Sequence, residues 1–230
     1  MESKFRKYAP HPPETTVEMI KKVNLPSKDD RWDPDKIPVD ILVMTVIECE
    51  LRAVLSFIPP ASRMYKRGLG SVYMGNLGTM KIAVMIGEMG GIGPRGTGQI
   101  VQKAVTELMP KAVFCVGYCG GLNPEKLKLG DVVISKKLIT YESCKVTESG
   151  FKDRSDRVPL KTNLASVIQS AADGWRAPLQ DPTELEVDVR CGALLSGSKV
   201  VDNNQMREKL LREFPEGIAI EMEGEGKVKG

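Results

Sequence analysis

From residue 41 onwards, short apolar runs alternate with stretches in which apolar residues recur every three or four positions, a pattern of strands followed by helices. Residues 41–47 are the first run; Leu51, Val54, Leu55 and Ile58 then repeat at helical spacing until Pro59 and Pro60 end the element. Residues 71–77 and 81–86 flank Gly78 and Thr79 and read as a β-hairpin. Ile100, Val101, Ala104, Val105 and Leu108 mark an amphipathic helix closed by Pro110. Residues 112–122, AVFCVGYCGGL, read as a buried strand of the parallel type that stops at an open glycine turn. Residues 128–135 and 137–141 are extended, 148–157 are polar and loop-like, and Leu164, Val167, Ile168, Ala171 and Ala172 make a further helix. A Pro- and Asp-containing loop over 177–184 is placed to lie over a site. Residues 187–195 form the next strand, Asp202 or Asn203 caps a helix carrying Met206, Leu210, Leu211 and Phe214, and 218–221 is the last readable strand. Such alternation predicts an α/β class, a three-layer αβα domain with a central mixed, largely parallel sheet.

The first 40 residues break the pattern. They hold Pro10, Pro12, Pro13, Pro26, Pro34 and Pro38 among many charges, which predicts a flexible Pro-rich tail or linker with at most a short helix over 16–23. The remaining 41–230 form one domain, and 41% apolar content over 230 residues suffices for a core. A net charge of +3 and 5% aromatic residues argue against a nucleic-acid groove, a stacking platform or an anionic membrane surface as partner. Five scattered cysteines, mostly within apolar runs, read as reduced core residues, and with His11 as the sole histidine no metal site is expected. No apolar run is long enough to cross a bilayer and no signal peptide is visible, so a cytoplasmic location is expected.

Three strands end in glycine-rich turns where chemistry can sit. At the carboxyl ends of strands in open α/β sheets the backbone of Gly117, Gly120 and Gly121 can approach a flat or anionic ligand. The loop 87–96, GEMGGIGPRG, leads into a helix, and its free N–H groups suit an anion or an activated water, with Gly91, Gly93 and Arg95 as the candidate residues. Gly91, Gly93 and Gly96 match a dinucleotide GxGxxG, but the next strand ends in Gly117 and Tyr118 and lacks the acid that would hold a ribose. Glu48 and Glu50 fall between the first strand and the first helix, where carboxylates are common because they favour the helix dipole.

Taken together, TVIECE (45–50), GYCGGL (117–122) with GDVVIS (130–135), and LSGSKVV (195–201) with IEMEG (220–224) resemble the nucleoside phosphorylase and nucleosidase superfamily. The resemblance covers roughly residues 41–224 and is closest to the methylthioadenosine/S-adenosylhomocysteine nucleosidase side. It implies cleavage of the N-glycosidic bond of a purine nucleoside, which passes through an oxocarbenium-like sugar. By resemblance Glu50 activates the water, Glu223 holds the ribose diol with Met222 against the sugar, and Gly120, Gly121 and the backbone of Ser196 to Val200 face the purine. Glu48 and Glu221 are assigned to structure. No cofactor is implied. Phosphate would enter only as co-substrate of a phosphorolytic enzyme, and Arg95 as the one cation of its loop, with Glu50 nearby, favours water instead. A homodimer or other homo-oligomer is implied by resemblance alone.

Two departures keep alternatives open. Tyr118 and Cys119 stand where bacterial nucleosidases read GSAGG, so the purine contacts do not transfer side chain by side chain. Family members also continue past the MEG motif to a strand tipped by an aspartate that assists protonation of the purine, a segment expected to be missing from these 230 residues. A phosphorolytic enzyme and a catalytically inactive nucleoside-binding or regulatory module are the alternatives.

Overall fold

Residues 13–87, 97–142, 144–147 and 150–222 are described by a computed structural model of the chain. Its first strand is β1 (Ile41–Thr45), the expected apolar run, buried on both faces. Leu42 and Met44 enter one cluster with Met64, Val72, Met85, Ala104 and Leu108, while Val43 enters another with Leu51, Leu55, Ile58, Tyr73 and Val84. That alternation is the two-residue period of a strand sandwiched between layers.

The helix α1 (Glu48–Phe57) covers one face through Leu51 and Leu55. The other is covered by α2 (Thr97–Leu108) through Ala104 and Leu108. Beside β1 run β4 (Met80–Ile86) and β5 (Ala112–Cys115), both parallel to it. The expected hairpin is β3 (Gly70–Leu77) with β4, turning at Gly78, whose φ of +59° suits a residue without a Cβ. A strand that periodicity did not announce, β2 (Pro60–Lys66), pairs antiparallel with β3 at the sheet edge. The order is β2-β3-β4-β1-β5.

The rest of the chain builds a second sheet. Its strands are β6 (Gly120–Gly121), β7 (Val132–Thr140), β10 (Arg157–Pro159), β11 (Val189–Ser196) and β12 (Gly217–Glu221), in the order β10-β7-β11-β12-β6. β11 runs parallel to both β7 and β12, and the outer pairings are antiparallel. The two extended stretches 128–135 and 137–141 meet in β7, with a bulge at Lys136, because Gly192 faces Ser135 while Ala193 faces Lys137. α4 (Asn204–Glu213) starts at the Asn203 cap, whose side chain accepts from the N–H groups of Gln205 and Met206. Leu210, and Phe214 just beyond the helix, close the second core with Leu122, Ile139, Tyr141 and Leu195. Between β7 and β11 lie a two-stranded ribbon, β8 (Cys144–Thr147) with β9 (Gly150–Asp153), and α3 (Thr162–Gln169). The mixed α/β class therefore holds, with two mixed sheets where one central sheet was expected. Of the polar stretch 148–157 read as a loop, 150–153 and Arg157 lie in strands.

Two expectations about burial change. Residues 112–122 do not form one buried strand: β5 and β6 belong to different sheets, and Phe114, Val116 and Tyr118 are 40%, 45% and 71% exposed. Cys115, Cys119 and Cys191 are likewise exposed. The flexible tail expected over 1–40 is, over its described part 13–40, a strap along the domain, and no helix spans 16–23 beyond a single turn at Lys22–Asn24. Thr16 N–H donates to the Pro178 carbonyl at 2.8 Å, tying the strap to the 177–184 loop. Further on, Ile20 N–H donates to Ser56 Oγ at 2.8 Å and Arg52 Nε to the Ile20 carbonyl at 2.7 Å. Trp32, Ile37 and Val39 pack on the first core and Ile20 and Leu25 on the second cluster of that sheet. The prolines deprive the strap of helix and sheet, yet its few apolar residues are spaced to reach the domain surface. Among the described residues no helix is long and apolar enough to cross a membrane.

Candidate functional site

Chemistry concentrates where β1 hands over to α1. The N-cap of α1 is Ile47, whose side chain cannot accept a hydrogen bond, so the first helical N–H groups need another partner. Glu50, three residues on, reaches back instead to the N–H groups just before the helix: Val46 N–H and Ile47 N–H donate to Glu50 Oε2 at 2.9 and 3.1 Å. Any Glu at that helical position can cap in this way, so these two bonds alone carry no function. The other oxygen does something capping does not require. Tyr118 N–H, past the end of β5, donates to Glu50 Oε1 at 3.1 Å, and a Cβ at Gly117 would lie 2.8 Å from that oxygen. Gly117 thus matters for closeness rather than for a special φ. Three backbone donors fix a half-buried carboxylate in the gap between β1 and β5, with lone pairs left over for a ligand or water.

Tyr118 also closes the gap on its other side, its phenol lying 3.3 Å from Cys49 Sγ in the first turn of α1. That contact, then burial, then the neighbouring Cys49 and Glu50 charges push the phenol up from its ordinary value. Glu48 points elsewhere: Lys22 Nζ of the strap donates to its Oε2 at 2.6 Å and holds its carboxyl below the usual range. The assignment of Glu48 to structure fits that pairing.

The second half of the edge is set by register. Gly120 faces Ile220 and Gly121 faces Ala219 across β6 and β12. Cβ atoms at these glycines would meet Ile220 Cγ2 at 3.2 Å and Leu127 Cδ2 at 3.3 Å, so packing accounts for both residues as well as ligand approach does. Ser196, wholly buried, sits opposite Thr140 on one side and Glu221 on the other. Beyond it, Gly197 N–H donates to the Glu221 carbonyl at 3.2 Å, and a Cβ at Gly197 would strike the Tyr141 ring at 2.4 Å. Val200 is 75% exposed on this loop, and Met222, half-buried, directly follows β12. Gly120, Ser196 and Met222 therefore share one carboxyl edge of the second sheet. Glu50 reaches it through Tyr118, two residues before Gly120. Glu223, Gly91, Gly93 and Arg95 lie outside the described residues.

Glu142 escaped the sequence reading. It follows β7 by two residues at this same edge, and its Oε2 accepts from Ser198 N–H at 2.6 Å and Ser198 Oγ at 2.7 Å. Burial opposes its ionisation, but the Ser198 hydroxyl and amide and the Lys199 ammonium outweigh it and hold the carboxyl below its ordinary value. A carboxylate just past the carboxyl end of a strand, facing a Gly-Ser turn, was the available signal. Among the described residues no group of three or more Cys, His, Asp or Glu is placed to hold a metal ion. A cavity of about 250 Å³ lies under the strap, lined by Met19, Ile20, Leu55, Ser56 and Pro59, and shares no residue with this edge.

Known proteins share this fold. The chain is 28% identical over 212 residues to the death domain-containing ATP nucleosidase of Amphimedon queenslandica, covering 82% of this chain and 39% of that protein. Over 155 residues it is 28% identical to the 5'-methylthioadenosine/S-adenosylhomocysteine nucleosidase of Baumannia cicadellinicola, covering 66% and 62%. The chain thus spans between 39% and 62% of the length of these relatives. Its fold matches the nucleosidase of that same name from Neisseria meningitidis, solved with methylthio-immucillin-A, at a TM-score of 0.66 and 21% identity over 83% of this chain and 78% of that one. The futalosine hydrolase of Helicobacter pylori matches at a TM-score of 0.64 and 18% identity over 84% and 78%. Residues 40–225 match the profile of the phosphorylase superfamily, and with β1, the glycine-ended β5–β6 crossing and β11–β12 all inside that span, the chain belongs to this superfamily.

Proposed function

We propose that the chain hydrolyses the N-glycosidic bond of a purine nucleoside, with Glu50 activating the attacking water. The observation that carries this reading is the Glu50 carboxylate held by the N–H groups of Val46, Ile47 and Tyr118 at a junction of two parallel strands. An acceptor-only group fixed in this way can take a proton from water as the ribose becomes oxocarbenium-like, while the purine leaves carrying a proton. Met222 and Glu223 hold the sugar and its diol; Gly120, Gly121, Ser196 and Val200 line the base side. Gly91, Gly93 and Arg95 are the residues the sequence offers for the anion or water. The names of the relatives support a purine substrate, and they span a methylthio group and a triphosphate at the 5' position. No cofactor enters this chemistry, the family resemblance implies a homodimer or other homo-oligomer, and the setting is the cytoplasm.

The test is release of free adenine or hypoxanthine from methylthioadenosine, S-adenosylhomocysteine, adenosine, inosine and ATP, with and without phosphate. Phosphate-independent release is expected. Glu50→Gln should lower turnover about a thousandfold or more with binding retained, the scale of removing an essential proton acceptor. Full activity in that variant removes Glu50 from the mechanism; release that requires phosphate makes the enzyme a phosphorylase. Saturable binding without turnover leaves a nucleoside-binding module.

A further inference from the structure

Resting on the nucleosidase reading, we propose that Glu142 is a positioning residue that fixes the base-side loop 197–200 and so sets affinity for the nucleobase. Both oxygens of this one carboxylate are engaged with that loop. Oε2 accepts from Ser198 N–H and Ser198 Oγ, at 2.6 and 2.7 Å. Oε1 is buried and meets Lys199 Nζ at 3.2 Å as an ion pair without hydrogen-bond geometry. The Glu142 side chain is 17% exposed and that of Lys199 71%, so the ammonium is solvent-screened and the two Ser198 bonds, rather than the ion pair, hold the loop.

The neighbouring Tyr141 completes the grip. Its N–H donates to the Ser196 carbonyl at 3.1 Å, its hydroxyl to the Lys199 carbonyl at 3.4 Å, and its ring occupies the space that a side chain at position 197 would need. The loop is held from below by Tyr141 and drawn down at Ser198 by Glu142. A Gly-Ser turn left to itself has many conformations, so ordering it before binding removes a cost that the ligand would otherwise meet. Two features separate this role from ordinary loop packing. The carboxylate is ionised and held by charge-assisted bonds, and it stands on a different strand from the loop it fixes, at the end of β7 beside the end of β11.

Glu142 is tied to the loop, whereas Glu50 is tied to β1 and β5. Loosening the loop should therefore weaken binding of the base in the ground and transition states alike, raising KM with little change in kcat. The experiment measures kcat and KM for adenine release from methylthioadenosine by wild type, Glu142→Ala, Glu142→Gln and Ser198→Ala, with a thermal midpoint for each. Glu142→Ala is expected to raise KM about tenfold or more with kcat within about threefold, the scale of losing hydrogen bonds to a charged group. Glu142→Gln, which keeps an oxygen for Ser198 N–H but loses the charge facing Lys199, should fall between wild type and Ala. Should Glu142→Ala fail to fold, the near-isosteric Gln variant carries the test, with a KM at least threefold above wild type expected. A KM within twofold of wild type in a folded Glu142 variant overturns the proposal while leaving the nucleosidase reading standing, and so does a loss of kcat that tracks the fall in thermal midpoint. A wild-type chain that neither binds nor releases base from any of methylthioadenosine, S-adenosylhomocysteine, adenosine, inosine and ATP overturns both.

Discussion

At the scale of single residues, the site turns on how near two backbones come. Gly117 has room for hydrogen and nothing more on the side facing Glu50, since a Cβ there would lie 2.8 Å from Oε1. Gly117→Ala should displace the carboxylate by a few tenths of an ångström, or rotate it off Tyr118 N–H, and lower kcat by about tenfold to a hundredfold. The thermal midpoint should hardly move, because position 117 is exposed and lies outside both cores. Unchanged kcat in Gly117→Ala would mean that the spacing between β5 and Glu50 is not what aligns the reaction. The residue types here were legible in the chain: a Glu at the start of the first helix and a glycine at the end of a strand. What could not be read is that they touch, because the contact links positions 68 residues apart and depends on β5 lying beside β1. Glu142 is hidden for the same reason. Its partners are 56 residues away, and a carboxylate just past a strand end does not by itself say which turn it faces.

Among elements, the helices were the most readable and the strap the least. Asn203 caps α4 as its position before the apolar repeat predicts, accepting from Gln205 N–H and Met206 N–H at 2.8 and 3.2 Å. Asn203→Ala should cost about 1 kcal/mol, a fall of roughly 2–4 °C in midpoint for a chain of this length. A thermal melt that does not move would mean that solvent satisfies those N–H groups equally well. The strap was misjudged because composition reports how much a segment can bury, not where its apolar residues land. Residues 13–40 bury little in total, yet Trp32, Ile37 and Val39 join the first core and Ile20 and Leu25 the second cluster of the same sheet. Arg52 holds the strap by its backbone through the Ile20 carbonyl at 2.7 Å. Arg52→Ala should therefore release the strap near Ile20, making it cleavable by trypsin at Lys21 or Lys22 at protease levels that leave the wild type intact. Equal cleavage of both proteins would show that apolar contacts alone hold it. The β8–β9 ribbon was also missed, since its flanking residues are polar and no two-residue apolar alternation marks it.

The molecule as a whole is two sheets joined by a crossing of a few residues. Val116 N–H donates to the Met44 carbonyl at 2.9 Å, binding one end of residues 112–121 to β1. At the other end Gly120 and Gly121 pair with β12. The crossing thus belongs to both sheets, and Glu50 is attached to it between the two anchor points through Tyr118 N–H. Strand-by-strand patterning conveys the α/β class but not this division, because an apolar run that changes sheet reads no differently from one that stays in place. A consequence for stability follows from the sharing. Neither sheet can lose its packing without disturbing the segment 112–121, whose other end pairs in the other sheet, so the two should unfold together. Leu42→Ala in the first core and Leu195→Ala in the second each remove a side chain with no exposure, which costs about 2–5 kcal/mol at such sites. Each should lower a single thermal midpoint by roughly 5–15 °C, on the order of 2–4 °C per kcal/mol for a chain of this size. Calorimetry distinguishes the alternatives: one transition that both variants shift makes the sheets a cooperative unit. Two transitions, each moved by only one variant, would make them separable bodies, and the Glu50 site, spanning the crossing, would then lose activity at the lower of the two.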